Sequence, residues 1–259
     1  MNSVVHIQDL SIGYRNKNNE TIVAQNLTVE LFSGELTCLL GANGVGKSTL
    51  LRTLARQQLS IFGSIRLNNK LLSKFSIQEL SQQIAIVLTE KIQLPDLTVG
   101  ELVAFGRSPY TGFWGKLSSE DERRIEEALR QVNLYEMASR KILTLSDGER
   151  QKAMIAKALA QNTPIILLDE PTAFLDFPSK VEILQLLRRV SHEMQKIIFL
   201  STHDVDFALQ LADRLWLMDL DGKINTGTPQ ELIESGLLEN FFHSSQIFFD
   251  KTSKHFIIR

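Results

Sequence analysis

The sequence contains one cysteine, Cys38, in 259 residues. No intrachain disulfide can form, so the expected setting is a reducing compartment, with Cys38 a small core residue inside the apolar run Leu36-Thr-Cys-Leu-Leu40. An excess of either charge is also missing: 28 Lys+Arg against 30 Asp+Glu leaves a net charge of −2. That excludes a basic nucleic-acid coat and an acidic tail protein, and no nucleic-acid partner is expected. No apolar run approaches the ~18 residues that a membrane span requires. The start, Met1-Asn-Ser-Val-Val-His6, has neither the basic lead nor the apolar stretch of a signal peptide. The reading is a soluble, cytoplasmic chain whose membrane role, if it has one, comes through a partner. Repeats of 20–50 residues and low-complexity linkers are absent too. What remains is ordinary globular composition, 43% hydrophobic and 22% charged, in a chain long enough to bury roughly 70–75% of its unfolded surface.

Short β-rich runs recur at residues 4–10, 36–40, 84–88, 165–168, 197–201 and 215–218. Longer helical stretches such as 48–56 and 180–189 separate them, which predicts an α/β fold with a mainly parallel sheet. Runs 165–168 and 197–201 are apolar at consecutive positions, as strands covered on both faces should be, and are read as central. Between about Pro95 and Asn162 the β signal stops, and residues 120–132 and 148–160 carry helical spacing, so a helical subdomain is expected there. Asp221-Gly222 is a hairpin turn signal, and the tail from Ser235 is rich in phenylalanine: Phe241, Phe242, Phe248, Phe249 and Phe256. The tail is read as a small packed extension whose rings serve the core rather than a binding surface.

Gly41-Ala-Asn-Gly-Val-Gly-Lys-Ser48 matches G-x-x-x-x-G-K-[ST], after an apolar strand and before a helix. The chemistry of that pattern is phosphate binding. Gly41, Gly44 and Gly46 permit a tight turn that presents backbone N–H groups, the helix N-terminus adds positive potential, Lys47 reaches the terminal phosphates and Ser48 can ligate Mg²⁺. Ile165-Ile-Leu-Leu-Asp169-Glu170 places two carboxylates at the C-terminal edge of a central strand, where ligands of such sheets bind. Asp169 suits a metal-associated carboxylate and Glu170 a group that polarises an attacking water.

The segment Leu145-Ser-Asp-Gly-Glu149, continuing Arg-Gln-Lys-Ala-Met-Ile-Ala-Lys-Ala-Leu-Ala160, resembles the signature segment of ATP-binding cassette (ABC) ATPases, which in that family lies just upstream of the acidic strand. Alone, Ser-Asp-Gly-Glu is an ordinary helix cap. The resemblance is carried by the order of elements along the chain: Tyr14, residues 41–48, residues 145–149, Asp169-Glu170, the 173–176 turn, and His203 after residues 197–201. It implies a P-loop NTPase core over residues 1–94 and 163–235, an inserted helical signature subdomain over 95–162 and a C-terminal extension over 236–259. It further implies ATP and Mg²⁺ as cofactors, with Tyr14 stacking on adenine and Asn43, Gly44, Gly46, Lys47, Ser48 and Thr49 holding the nucleotide. Lys47, Glu170 and His203 are then catalytic, His203 contacting the γ-phosphate and ordering the water. In the family two such domains pair head to tail, so Ser146, Gly148 and Glu149 would act on the nucleotide of the other subunit of a homodimer. His6, His192, His243 and His255 show no metal-ligand spacing.

Within that family, Leu102-Val-Ala-Phe-Gly-Arg-Ser-Pro-Tyr110 and Trp114-Gly-Lys-Leu-Ser-Ser-Glu-Asp121 resemble the importers of ferric siderophores, haem and cobalamin, the siderophore group most closely. The implied partners are a polytopic membrane permease and, indirectly, a substrate-binding protein, with the chain peripheral on the cytoplasmic face of the membrane. In the family the helical subdomain docks a short helix of the permease, and Phe105, Tyr110, Phe113 and Trp114 fall there; the alternative is a buried aromatic cluster. One position departs from the family. Where it carries a glutamine after the strand at 84–88, this chain reads Leu88-Thr89-Glu90, with Thr89 nine residues before Thr98. Threonine cannot copy the amide's reach, so Glu90 or Gln93 is the candidate replacement, Glu90 at the metal because Mg²⁺ favours hard carboxylate oxygen. A solvated loop charge is the competing reading of Glu90. Two other functions stand against the importer subunit: a soluble ABC ATPase of iron-sulfur cluster assembly, disfavoured by the 102–121 stretch, and a nucleotide-gated scaffold without turnover, disfavoured by the presence of Glu170 and His203.

Overall fold

The computed structural model describes residues 3–16, 19–89, 94–112, 114–242, 247–250 and 255–258. The chain opens with a long hairpin, β1 (Ser3–Asn16) and β2 (Asn19–Phe32), then β3 (Leu36–Leu40) and α1 (Lys47–Leu54). A short pair, β4 (Phe62–Leu67) and β5 (Lys70–Leu71), leads through α2 (Ile77–Ser81) to β6 (Ile84–Val87). The stretch read as helical contains α3 (Val99–Ala104), α4 (Ser119–Gln131) and α5 (Asp147–Ala160). After it come β7 (Ile165–Asp169), α6 (Phe177–Met194), β8 (Ile197–Thr202), α7 (Val205–Leu211) and the hairpin β9 (Arg214–Met218)–β10 (Ile224–Gly227). The C-terminal part holds α8 (Pro229–Glu234), α9 (Leu237–Phe242) and a further hairpin, β11 (Ile247–Asp250)–β12 (His255–Ile258).

Strand order in the main sheet is β10-β9-β3-β8-β7-β6, all parallel except the edge strand β10. Every residue of β3, β7 and β8 is buried, which explains why their sequences are apolar without alternation. Alternate side chains serve two separate cores. Leu36, Cys38 and Leu40 of β3, Ile166 and Leu168 of β7 and Ile198 and Leu200 of β8 pack toward the helices α3–α6. Leu39, Ile165, Leu167, Ile197 and Phe199 point the other way, where Phe199 meets Trp216 with ring centroids 4.7 Å apart. Burial pushes the Cys38 thiol up out of its ordinary range, so it stays a protonated, inert core group.

That second core is closed by a second sheet, of order β2-β1-β4-β5 and antiparallel throughout. The assignment of residues 4–10 to the mainly parallel sheet is therefore corrected. They belong to a separate antiparallel layer completed by β2, β4 and β5, which no β-rich run in the sequence marks. The physical reason is one-sided burial: β2 alternates buried and exposed positions along its second half, so half of its residues are polar and no apolar run announces the strand.

Helix starts carry a recurring chemical mark. Ser76/Glu79, Thr98/Glu101, Ser118/Asp121, Ser146/Glu149 and Thr228/Glu231 each form a reciprocal capping box. The first turn of α4 is anchored further, because Arg107 donates from Nε to Asp121 Oδ1 at 2.8 Å and from Nη1 to the Ala160 carbonyl at 2.7 Å. One guanidinium thus ties α4 to the end of α5.

Candidate nucleotide-binding site

Strand β3 runs fully buried to Leu40, and the chain then turns through residues 41–46 into α1. The turn needs left-handed backbone at Gly44 (φ 80°) and at Gly46 (φ 117°), which caps α1. Gly46 is doubly constrained, since a Cβ there would stand 2.3 Å from Val23 Cγ1. No side chain caps α1, so its first amides remain available to an anion. Asn43 and Ser48 are exposed at this mouth, whereas Thr49 is buried and its Oγ1 lies 3.0 Å from the Tyr14 hydroxyl. Tyr14 is half exposed beside α1. The hairpin β1–β2 and the phosphate-loop helix are therefore joined at the flank of the mouth.

Lys47 is buried, its Nζ donating to the carbonyls of Gly41 (2.8 Å) and Ala42 (3.1 Å). Burial lowers its pKa, and the carboxylates of Glu170 and Asp169 pull it back up. Glu170 lies between two of the groups named from sequence: Lys47 Nζ is 3.9 Å from one carboxylate oxygen and His203 Nδ1 is 3.7 Å from the other. Asp169, buried at the end of β7, accepts from Ser201 Oγ at 2.7 Å. His203 follows β8, and its loop is held by Lys180 of α6, whose Nζ is 3.0 Å from Asp204 Oδ2. Parallel strands β3, β7 and β8 thus deliver Lys47, Asp169, Glu170 and His203 to one edge of the sheet.

Ser146 and Glu149 stand in their own capping box, where hydrogen bonds from the Ser146 backbone and hydroxyl hold the Glu149 carboxyl below its ordinary range. Gly148 faces Ser179 of α6. The same first turn of α5 reaches toward the acidic strand through Asp147, Arg150 and Gln151, which share a cavity of about 50 Å³ with Thr89 and Glu170. Thr89 itself donates from Oγ1 to the Asp169 carbonyl at 3.1 Å. Glu90 and Gln93 lie outside the described residues, so the reading of Glu90 at the metal has no geometry here.

One groove adjoins the site and another lies on the helical part. Residues Gly41–Asn43 and His203 share a groove of about 840 Å³ with Leu220 and with Phe241 and Phe242 of α9. Phe249 is buried and Phe241 and Phe242 pack partly on the core; the two α9 rings also line this groove. Sequence reading missed that approach, and the clustering of phenylalanines was its one signal. The other surface is on the helical part, where an apolar groove of about 690 Å³ runs past Leu94, Pro95, Leu97, Ala104 and Phe105. There the buried-cluster reading is overturned for three of the four rings: Phe105, Tyr110 and Trp114 are 56%, 40% and 89% exposed. Phe113 lies outside the described residues. Sequence also gave no warning of Ser201 and Lys180, because a serine in a strand and a lysine on a helix carry no motif.

The donor set suits Mg²⁺. Among the described residues no group of three or more His, Cys, Asp and Glu stands together as a ready-made cage. Magnesium does not need one, since it is held by one or two protein oxygens together with phosphates and water. The Ser48 hydroxyl and the Asp169 carboxylate are hard oxygen donors at the mouth of the phosphate loop.

Comparison with known proteins agrees with this geometry. The family model described as ABC transporter matches residues 24–173. The iron(3+)-hydroxamate import ATP-binding protein of Bacillus subtilis is 37% identical over 93% of this chain and 88% of its own. Among solved structures, a metal-chelate type ABC transporter in an inward-facing conformation superposes with a TM-score of 0.82 at 28% identity, covering 100% of this chain and 98% of that one. An ATP-binding cassette solved as a dimer in a post-hydrolysis state with ADP and Pi gives 0.74 at 28% identity, over 87% of this chain and 98% of the other. Strand-borne acids, an uncapped phosphate-loop helix and these likenesses lead to one conclusion: the chain belongs to the ABC transporter family, as an ATP-binding subunit that hydrolyses ATP.

Proposed function

We propose that the chain is the motor subunit of an importer for ferric siderophores or a related metal chelate, acting as a homodimer on a polytopic permease at the cytoplasmic face of the membrane. The observation that carries the reading is the place of Glu170 between Lys47 and His203. A carboxylate there can polarise a water aimed at a γ-phosphate held by the loop at 41–48, while His203 orders that water and Lys47 swings from its own loop carbonyls to the β/γ-phosphates. Tyr14 offers its exposed ring to adenine. Asn43, Gly44, Gly46 and Thr49 shape the cradle, and Ser48 and Asp169 would hold Mg²⁺, whose charge offsets that of the phosphates. Ser146, Gly148 and Glu149 complete the site of the second copy. The dimeric solved cassette supports that pairing, and the named hydroxamate importer and the metal-chelate transporter support the class of cargo. A substrate-binding protein delivers the cargo to the permease and does not touch this chain.

The exposed ring of Phe105 in the apolar groove lined by Leu94, Pro95, Leu97 and Ala104 favours a membrane-coupled subunit over a free-standing ATPase, because apolar surface of this kind marks a docking face. The deciding experiment is Glu170→Gln, which keeps shape and removes the carboxylate. ATP should still bind, hydrolysis should stall, and an ATP-dependent dimer should appear on size-exclusion chromatography. Undiminished turnover with no such dimer would sink the reading.

A further inference from the structure

The residue after Asp169 is in an unusual backbone state. Glu170 has φ 46°, left-handed and disfavoured for a residue with a Cβ. Such a conformation persists only where its surroundings over-determine it. Here the peptide unit joining Asp169 to Glu170 is held at both ends by side chains. Its carbonyl, that of Asp169, accepts from Thr89 Oγ1 at 3.1 Å. Its N–H, that of Glu170, donates to Ser201 Oγ at 2.9 Å. Thr89 follows β6 and Ser201 lies in β8, the two neighbours of β7 in the sheet. The hydroxyls therefore grip one peptide plane from opposite sides, just where the parallel ladder runs out. Ser201 is fully buried and uses its own proton on Asp169 Oδ1 at 2.7 Å, so one hydroxyl links the metal-side carboxylate to the backbone of the water-polarising one.

We infer that Thr89 and Ser201 form a two-sided clamp on the Asp169–Glu170 peptide and are positioning residues for hydrolysis. The inference rests on the assignment of Glu170 as the water-polarising group. It also gives the departure from the family pattern at position 89 a chemical content: the short hydroxyl, unsuited to a glutamine's reach, is the right length to grip the adjacent strand. With the peptide free to rotate, Glu170 leaves the left-handed region and its carboxylate moves away from Lys47 and His203. Displacements on the order of 1 Å are enough to lower turnover by up to about a hundredfold. ATP binding rests on other groups and is left alone.

The test uses the full-length protein with the hydroxyl-removing variants Thr89→Val and Ser201→Ala, the hydroxyl-retaining Thr89→Ser, and Glu170→Gln as reference. ATPase rate is followed against ATP and against Mg²⁺, with ATP affinity measured at equilibrium. Thr89→Val and Ser201→Ala should each lower kcat about tenfold with KM and ATP affinity within roughly twofold, the pattern of a lost transition-state interaction. Thr89→Ser should restore kcat. Ser201→Ala alone should also raise the Mg²⁺ concentration for half-maximal rate, because it alone frees Asp169 Oδ1. The double variant should lose less than the product of the two single losses, since both act on one peptide. Near wild-type kcat in both single variants while Glu170→Gln is inactive would overturn the clamp and leave the role of Glu170 standing, as would equal losses in Thr89→Val and Thr89→Ser. An active Glu170→Gln would instead remove the reading on which the clamp rests.

Discussion

Lys47 shows how one side chain is prepared for its ligand. Buried and bound to the carbonyls of Gly41 and Ala42, its amine is already desolvated, which lowers its pKa, while the carboxylates of Glu170 and Asp169 oppose that shift. In the proposed role, phosphates at the loop would replace those carbonyls with stronger, charged acceptors. Lys47→Ala removes the cation and should abolish turnover, while the apolar contacts of α1 through Leu50, Leu51 and Leu54 keep the fold. A coupled-enzyme ATPase assay checks this, and a wild-type rate would refute the role. Lys47, Ser48, Asp169 and Glu170 were legible in the sequence because a motif names them by spacing along one strand-loop or one strand end. Ser201 was not. Its importance lies in the two groups it reaches on another strand, and spacing along the chain carries no trace of that.

At the scale of elements, the helices of the 95–162 part are held to one another by buried polar contacts as well as by apolar packing. The Arg107–Asp121 pair is almost wholly buried, and Asp121 also accepts from the Ser118 hydroxyl and N–H. The Ser118 hydrogen bonds first, and then Arg107, hold its carboxyl down to about 2 against an ordinary 3.8. A carboxylate whose pKa is depressed on folding stabilises the native state fully above the ordinary value, and that contribution is lost as pH falls from there through about 2. Asp121→Ala leaves Arg107 buried without its counter-charge and should cost about 3 kcal/mol. It should also flatten the acid limb of the stability profile below the ordinary carboxylate range. Urea titrations at a series of pH values test both, and a variant as stable as the parent with an unchanged acid limb would contradict the account. The elements themselves were partly readable. Strands buried on both faces announced themselves as apolar runs, and α5 by its capping box. Within the antiparallel layer β2 was hidden because one exposed face makes half of its residues polar.

For the whole molecule, the groups proposed to serve hydrolysis are split between the sheet edge and the first turn of α5. If Ser146 completes the site of a second copy, Ser146→Arg should block ATP-dependent dimerisation and turnover by bulk, while ATP binding to the monomer stays within about threefold. Analytical ultracentrifugation with and without ATP, beside an equilibrium binding assay, reads both quantities; an equal loss of monomer binding would place Ser146 in its own subunit's pocket. The helical face gives a second test. Phe105→Glu puts a charge at the edge of the apolar groove, at a ring already 56% exposed, so stability should change by less than about 1 kcal/mol. Basal ATPase should persist and stimulation by the membrane partner should fall by an order of magnitude or more. Unchanged stimulation in proteoliposomes would move the docking face elsewhere.

By itself the sequence determined the phosphate loop, the acidic strand end, the α/β class and the order of elements that marks the family. Each of these is local: a run of residues whose backbone needs, charge or burial on both faces can be read without knowing its neighbours. Only the tertiary structure decided that residues 4–10 join an antiparallel layer and that Phe105, Tyr110 and Trp114 face outward. It alone brought α9 to the mouth of the phosphate loop and closed two hydroxyls, one from β8 and one from the residues after β6, on the peptide that follows β7. Those facts depend on which strand lies beside which. Strand order is set by the packing of two apolar cores on the faces of one sheet, a property of the folded whole that no single stretch of the chain contains.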